Sequence, residues 1–330
     1  MHLKQRIEIL NILGHHLVSD SPTLLAAKHS AFLNNNWFTI EFIDNALQQI
    51  STQYLDKEKL TNWANNYHTQ KDFSGKKIGV VMAGNIPLVG IHDLICCFIM
   101  GHICMAKLSS KDTVLMQYVI NYLEEIAPEI NQYIEVSSLL KDCDAYIATG
   151  SNNTARYFEY YFAKYPHIIR KNRTSVAILT GNETGEELNL LSDDVHQYFG
   201  LGCRNVTKIY VPKDYDFVPL LRSFDKYGGF ADHHKYKNNY DYQLSIQLLN
   251  HRYYMTNEST LLFENESNYS AISVLNYSFY ENGTWPNAVT EVDEIQCVVS
   301  HKDIPFGQAQ SPGLFDYADG VDTMKFLEKI

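Results

Sequence analysis

The residue best suited to covalent chemistry is Cys203, which follows Gly200 and Gly202 on a predicted turn. Glycine tolerates the left-handed backbone that ends a helix, so this pair predicts a helix end just before the cysteine. Arg204 comes next, and a neighbouring cation lowers the pKa of a thiol because it stabilises the nucleophilic thiolate. A free cysteine is also often a small, inert, buried residue, and this segment alone favours that interpretation.

Two regular elements are predicted to position this turn. Apolar residues recur at helical spacing before it, namely Leu188, Leu191, Val195 and Phe199, which predicts a helix with one buried face. The segment 206–211 then alternates apolar and polar residues, which predicts a half-buried strand. Cys203 is therefore expected between a helix and a strand.

The sequence before this helix alternates predicted strands and helices, which indicates a doubly wound α/β domain with a parallel sheet. The predicted strands cover Ile78–Met82, Ile103–Lys107, Tyr133–Val136 and Ala145–Thr149. One predicted helix ends near Met100, and two others cover Thr113–Ile126 and Ala155–Tyr165. A further short helix is predicted between the last two strands. Ligands bind such sheets at the carboxyl ends of the strands, where Gly84-Asn85 and Gly150-Ser151 fall.

The pair Gly150-Ser151 allows two interpretations. Backbone N–H groups and a hydroxyl at a helix start can hold a phosphate, and a serine there can equally cap the helix without any ligand.

The first predicted strand is not followed by a Gly-x-Gly-x-x-Gly motif. An ordinary Rossmann dehydrogenase is therefore disfavoured.

A length of 330 residues favours two domains. We predict that residues 1–174 form an N-terminal helical arm (1–75) and a nucleotide-binding domain. Residues 175–312 are predicted to form a catalytic domain that carries Cys203, and residues 313–330 a C-terminal tail. The arm is expected to pack on the main domain or on a second subunit.

Composition limits the partners and the compartment. The net charge of -11 argues against nucleic acid and anionic membranes as partners. No apolar run is long enough to span a bilayer and no signal peptide is recognisable, so we expect a cytoplasmic protein. The six cysteines have no disulfide or Cys-x-x-Cys spacing, and Asp232-His233-His234 lacks a third ligand, so no metal site is predicted.

Four motifs in sequence order resemble those of the aldehyde dehydrogenase superfamily, written there as Trp-Asn-Phe-Pro, Val-Leu-Lys-Pro-x-Glu, Phe-Thr-Gly-Ser and Gly-Gln-x-Cys. In this chain they are Met82-Ala-Gly-Asn85-Ile-Pro87-Leu, Met105-Ala-Lys107-Leu-Ser-Ser110, Ala148-Thr-Gly150-Ser151 and Gly200-Leu-Gly-Cys203. They cover about residues 76–212, and their sequences are most similar to those of acyl-CoA reductases of the bacterial luminescence type. The resemblance implies an aldehyde-dehydrogenase-like fold, with a Rossmann-like cofactor domain and a second α/β catalytic domain.

The resemblance also implies a mechanism. Cys203 would attack an acyl-CoA or acyl-carrier thioester, while the Asn85 amide and the Cys203 backbone N–H hold the oxyanion. A nicotinamide hydride would then reduce the acyl-enzyme to an aldehyde. Asn85 could instead be only a helix cap. A homo-oligomer and an acyl-activating partner of the acyl-protein synthetase type are further expectations. The other five cysteines are expected to be dispensable for the chemistry.

The cofactor residues implied by the resemblance are Lys107, Ser110, Lys111, Gly150 and Ser151. In the family's Lys-Pro-x-Glu strand, the acid binds the adenosine ribose and repels a 2′-phosphate. Ser110 stands at that position, and two lysines accompany it, so NADPH is the predicted cofactor. Lys111 could alternatively be only a solvated residue at a helix start.

The direction of the reaction is predicted from a missing residue. Oxidative aldehyde dehydrogenases carry a glutamate general base whose place here is about Ile169 or Arg170, and the segment 167–174 contains no acid. Its cations Arg170, Lys171 and Arg173 could meet a coenzyme A or cofactor phosphate, or be solvated loop charges. An oxidative aldehyde dehydrogenase, with Glu183 or Glu258 as the base, and a non-catalytic cofactor-binding scaffold are the alternatives.

Overall fold

The chain divides into two compact units in a computed structural model that describes residues 1–69, 73–281 and 293–330. Unit 1 comprises Met1–Asn172 and Pro312–Ile330, and unit 2 comprises Arg173–Ser311. The segment that the sequence set apart as a tail therefore belongs to unit 1. None of the helices in these three ranges is long and apolar enough to cross a membrane.

Unit 1 is built on a five-stranded sheet in which neighbouring strands run parallel, in the order β3-β2-β1-β4-β5. The strands are β1 Lys77–Val81, β2 Ile103–Lys107, β3 Ile134–Val136, β4 Ala145–Thr149 and β5 His167–Arg170. The helices are α1 Leu3–Leu17, α2 Pro22–Asn34, α3 Ile40–Gln49, α4 Lys57–Ala64, α5 Ile91–Met100, α6 Thr113–Ile126, α7 Asn152–Phe162 and α11 Thr323–Leu327. This confirms the predicted α/β class. The strand order reverses between β1 and β4, which is where ligands bind to such sheets.

The N-terminal arm is part of the core of unit 1. Leu10, Leu24 and Trp63 are buried in the same hydrophobic cluster as Ile78 of β1 and Cys104 of β2. The C-terminal segment closes this core, because Met324 and Leu327 belong to the same cluster and Tyr317 accepts a 2.8 Å hydrogen bond from the indole of Trp63. Burial of both chain ends in one apolar cluster stabilises the sheet that carries the predicted cofactor residues.

Unit 2 is built on a six-stranded sheet in the order β11-β6-β7-β10-β9-β8. Its strands are β6 Thr174–Ile178, β7 Val206–Pro212, β8 Met255–Thr256, β9 Leu261–Glu264, β10 Val274–Tyr280 and β11 Ile295–Val299, and its helices are α8 Gly185–His196, α9 Phe217–Ser223 and α10 His234–Leu249. Only the pair β8–β9 runs antiparallel among the described strand pairs of this sheet. Leu188, Leu191 and Val195 of α8 pack in one cluster with Ile209 and Val211 of β7, as their spacing predicted. Phe199, the fourth residue of that predicted stripe, lies beyond the end of α8, so the predicted helix is too long.

The local structure differs from the sequence predictions in two places of unit 1. The segment 137–144 contains no helix, and β5 was not predicted because only two apolar residues mark it. Helix α10 begins at His234, where the His233 imidazole accepts the Tyr236 N–H and caps the helix.

Arg170 is neither a solvated loop charge nor a cation free for a phosphate, so both interpretations of this residue are wrong. It ends β5 and is 5% exposed. Its guanidinium makes a bidentate ion pair with Asp93 of α5, with Nη2 2.8 Å from Oδ1, and also donates to the Thr323 hydroxyl at 2.9 Å. The pair therefore fastens β5, α5 and the C-terminal segment to one another. Lys171 instead pairs with Glu159 at the surface.

Asp93→Ala is expected to lower the free energy of unfolding by about 3–5 kcal/mol, because it leaves the Arg170 charge buried without its partner. Chemical denaturation measures the change. Glu159→Gln, which removes the neighbouring exposed pair, is the control and should change little. The double variant Asp93→Leu/Arg170→Met should recover much of the loss. Equal stability of Asp93→Ala and Glu159→Gln would contradict this role of the buried pair.

Candidate active site

The turn that carries Cys203 begins with three successive left-handed residues. Helix α8 ends at His196, and Tyr198, Phe199 and Gly200 have φ values of 55°, 56° and 74°. Gly200 adopts this conformation at no steric cost, but tyrosine and phenylalanine do so at about 1–2 kcal/mol each. Packing offsets that cost, since both aromatic side chains are buried and the ring centroids of Phe199 and Phe230 lie 4.4 Å apart.

The Asn205 side chain holds this turn closed. Its amide nitrogen lies 3.1, 3.3 and 2.8 Å from the carbonyl oxygens of Asp194, Val195 and Gln197, and its oxygen accepts the Gly202 N–H at 2.8 Å. Asn205 is fully buried, so no water competes for these groups. Orphan carbonyls at the end of α8 are thereby satisfied, and the residue before Cys203 is fixed in orientation.

Cys203 itself is half-buried, and its carbonyl is also anchored. The Ser175 hydroxyl donates to the Cys203 oxygen at 3.0 Å and lies 3.0 Å from the Cys297 thiol. Burial raises the pKa of Cys297, although nearby Arg204 opposes that shift. The remaining thiols are buried in unit 1. Burial raises the pKa of Cys96 and Cys143, and a hydrogen bond with Cys104, together with burial, raises the pKa of Cys97. Sequence reasoning missed the proximity of Cys297, because its strand begins more than 90 residues after Cys203.

Two titratable groups of α8 lie close to this turn, and both have structural partners. The Asp194 carboxylate accepts the backbone N–H groups of Gly307 and Ala309 at 2.6 and 3.0 Å, and burial raises its pKa to about 7. His196 is bonded to the Ser192 carbonyl and the Thr260 hydroxyl, and burial lowers its pKa to about 4. His196 is therefore neutral at physiological pH, with both ring nitrogens engaged.

Glu183, one of the alternative bases, is engaged in the turn after β6. Its carboxylate accepts hydrogen bonds from the Thr180 backbone and hydroxyl and from the Gly181 N–H. The other alternative, Glu258, is exposed and has a left-handed φ of 74°. No group of three potential metal ligands occurs in the part of the chain that the structure describes.

Asn85 lies in unit 1 on the turn between β1 and α5. Helix α5 begins only at Ile91, with Gly90 as its N-cap residue, so the interpretation of Asn85 as the cap of this helix is wrong. The turn passes very close to the neighbouring strand's turn, because a Cβ on Gly84 would lie 2.4 Å from the Ser109 hydroxyl. Glycine is therefore required directly before Asn85.

The predicted cofactor residues of β2 lie at the same edge of the sheet as Asn85. Lys107 is the last residue of β2, and its carbonyl accepts the Met82 N–H at 3.0 Å. Ser110 and Lys111 follow on the turn before α6, and all three predicted residues are exposed. This turn therefore presents two cations and a hydroxyl beside the β1 turn.

Gly150 and Ser151 follow β4, on the other side of the point where the strand order reverses. Ser151 is the N-cap of α7, and its hydroxyl accepts the Thr154 N–H. The Gly150 N–H donates to the Arg170 carbonyl, and a Cβ on Gly150 would lie 3.1 Å from the Thr154 and Phe158 side chains. The capping interpretation describes these contacts, and phosphate binding here stays a prediction.

Solved structures similar to this chain include aldehyde dehydrogenases. The aldehyde dehydrogenase of Mycobacterium tuberculosis, complexed with NAD+, has a TM-score of 0.63 at 12% identity, over 94% of this chain and 76% of that one. The indole-3-acetaldehyde dehydrogenase of P. syringae, in complex with NAD+ and IAA, has a TM-score of 0.65 at 11% identity, over 91% and 72%.

This chain has the aldehyde dehydrogenase fold. An NADP-dependent enzyme of E. coli is also similar, with a TM-score of 0.64 at 9% identity, over 91% of this chain and 73% of that one. No protein-family model matches the chain, and no curated protein does. The predicted fold class is thus confirmed by structural similarity, at identities too low to indicate a substrate.

Asn205→Asp is expected to destabilise unit 2, because the carboxylate cannot donate to the carbonyl groups at the end of α8 and adds a buried charge. Each buried polar group that loses its partner costs about 1–3 kcal/mol. Chemical denaturation measures the loss. Asn239→Asp is the control, since its amide donates to the Lys235 carbonyl at a partly exposed position of α10. Equal midpoints for the two variants would contradict the role of Asn205.

Proposed function

We propose that this protein reduces a fatty acyl thioester to the aldehyde with NADPH, through a thioester on Cys203. The observation that carries the proposal is a half-buried cysteine on a turn braced by Asn205, in a chain with the aldehyde dehydrogenase fold. The similarity of the four motifs to acyl-CoA reductases of the bacterial luminescence type supports a thioester as the substrate.

Acyl transfer is the first step of this proposal. The Cys203 thiolate attacks the thioester carbonyl, a new C–S bond forms, and the bond to coenzyme A or the carrier breaks. The departing thiolate carries the electron pair and takes up a proton. The Cys203 N–H and the Asn85 amide stabilise the oxyanion in the transition state. Anchoring of the Cys203 carbonyl by Ser175 and of Gly202 by Asn205 keeps the nucleophile's backbone in one orientation.

Reduction is the second step. Lys107, Ser110 and Lys111 would hold NADPH, which would supply a hydride for the acyl carbon. Asn85 and the Cys203 N–H again stabilise the oxygen that gains negative charge. The C–S bond then breaks, which restores the Cys203 thiolate and releases the aldehyde, so no water is consumed.

Hydrolysis of the acyl-enzyme is disfavoured in this proposal. A base must activate the water, and the segment 167–174, where the glutamate base of the oxidative enzymes is expected, contains no acid, while Arg170 is paired with Asp93. Glu183 accepts three hydrogen bonds from its own turn. The thioester should therefore persist until a hydride or a thiol arrives. The oxidative aldehyde dehydrogenase remains the alternative, supported by the NAD+ complexes of the similar structures.

Cys203→Ala is expected to abolish transfer of the acyl group from labelled acyl-CoA, because the nucleophile is lost. Mass spectrometry of the intact protein and of its peptides measures the adduct. Cys297→Ser is the matched control, since Cys297 adjoins the same Ser175 hydroxyl, and it should keep acyl transfer. A label on another cysteine of the Cys203→Ala protein would refute the assignment, and a wild-type protein that takes no label would refute the proposed function.

Ser110→Glu is expected to shift the cofactor preference from NADPH toward NADH by tenfold or more. Its carboxylate would repel the 2′-phosphate that Lys107 and Lys111 attract, and could bind the ribose hydroxyls. Steady-state kinetics with both cofactors measure the ratio of kcat/KM values. Ser110→Gln, which matches glutamate in size without its charge, is the control and should keep the preference for NADPH. A clear preference of the wild type for NADH would contradict the predicted phosphate site.

A further inference from the structure

Two turns of unit 1 meet closely at the carboxyl ends of β1 and β2. A Cβ on Gly84 would lie 2.4 Å from the Ser109 hydroxyl and 3.2 Å from the Cβ of Asp112. The residues that follow Gly84 include Asn85, and those around Ser109 include the predicted cofactor residues. Any movement of one turn must therefore be accommodated by the other.

Asp112 joins the two turns by a hydrogen bond. It occupies the N-cap position of α6 but makes no side-chain cap bond to that helix, although an aspartate there usually does. Its Oδ2 instead accepts the Leu88 N–H on the β1 turn at 2.7 Å. Leu88 is buried and has a left-handed φ of 54°, a conformation that leucine adopts only under constraint. The Asp112 carboxyl supplies that constraint three residues after Asn85.

The second oxygen of this carboxyl is buried and has no hydrogen-bond partner among the described residues. Burial raises the pKa of Asp112 to about 8, although the Leu88 bond opposes the shift. The segment 82–90 and the first turn of α6 carry no titratable side chain, and the cations of the β2 turn, Lys107 and Lys111, are exposed. The neutral acid is thus the form that suits the folded turn at neutral pH.

We infer that Asp112 is a positioning residue for acyl transfer, which holds the β1 turn, and with it Asn85, in the conformation that stabilises the oxyanion. The inference rests on the proposed function. Asp112 touches no reacting atom in this scheme and acts only through the Leu88 N–H.

The pH dependence follows from the neutral form. A carboxyl whose pKa is raised in the folded state stabilises that state below its ordinary pKa, and the contribution is lost as the pH rises through about 8. Ionisation places an uncompensated charge beneath the β1 turn. The turn, and acyl transfer with it, should therefore weaken above this pH in the wild type and not in a variant that cannot ionise.

The test compares Asp112→Ala, Asp112→Asn and Asp144→Ala in the full chain, with single-turnover acylation of Cys203 by labelled acyl-CoA as the readout. Asp144 is a matched control, because its carboxylate also accepts a backbone N–H of β1, that of Lys77, at 2.8 Å. Asp112→Ala should acylate at least tenfold more slowly per folded molecule with an unchanged half-saturating acyl-CoA concentration. Asp144→Ala should keep the wild-type rate.

Asp112→Asn should restore the rate at pH 7, since its amide oxygen can accept the Leu88 N–H. The acylation rate of Asp112→Asn, divided by that of the wild type, should rise above pH 8. Ionisation of Cys203 affects both rates equally and cancels in this ratio. Hydrogen exchange of the segment 82–90 should increase in Asp112→Ala alone. If this segment loosens while acylation stays at the wild-type rate, Asp112 is only structural and the inference is overturned. If wild-type Cys203 takes no acyl group, the proposed function fails, and the inference with it.

Discussion

The Asn205 amide lies within hydrogen-bonding distance of four backbone groups between the end of α8 and the start of β7, and the candidate nucleophile depends on this arrangement. A nucleophilic residue on a tight turn needs a backbone that neither the helix nor the strand can provide. Three left-handed residues create that bend, and two of them are not glycine. A fully buried side chain that saturates the adjacent carbonyl groups makes the bend stable, because unpaired buried carbonyls would cost more than the strain.

A similar physical solution occurs in unit 1. There, the Asp112 carboxyl accepts one backbone N–H of a turn that contains left-handed Leu88. In both turns, a short buried polar side chain from a neighbouring segment holds a strained, non-glycine backbone. Each of these turns also carries a group that we propose to stabilise the oxyanion, the Asn85 amide in one and the Cys203 N–H in the other. Strain at such positions is typical of functional sites, where the surrounding structure fixes an otherwise unfavourable conformation.

Much of the Cys203 region could be predicted from the sequence, because its signals are local. The spacing of Leu188, Leu191 and Val195 and the alternation after Val206 identify a helix and a strand without reference to the rest of the chain. The partner of Arg170 could not be predicted, since Asp93 lies 77 residues away. The left-handed φ of Tyr198 could not be predicted from the residue type either, because that conformation is expected of glycine and not of tyrosine. Contacts of Asn205 and Asp112 likewise depend on the tertiary fold.

Our main proposal is that Cys203 forms a thioester that persists until a hydride, rather than water, attacks it. Its most direct test is a single-turnover experiment in which the protein is mixed with one equivalent of acyl-CoA, without cofactor, and followed by mass spectrometry of the intact chain. We expect one acyl group on Cys203, little free fatty acid, and conversion to aldehyde when NADPH is added. Release of free fatty acid before NADPH arrives, at a rate matching later aldehyde formation, would contradict it, because a hydrolytic base would then be present.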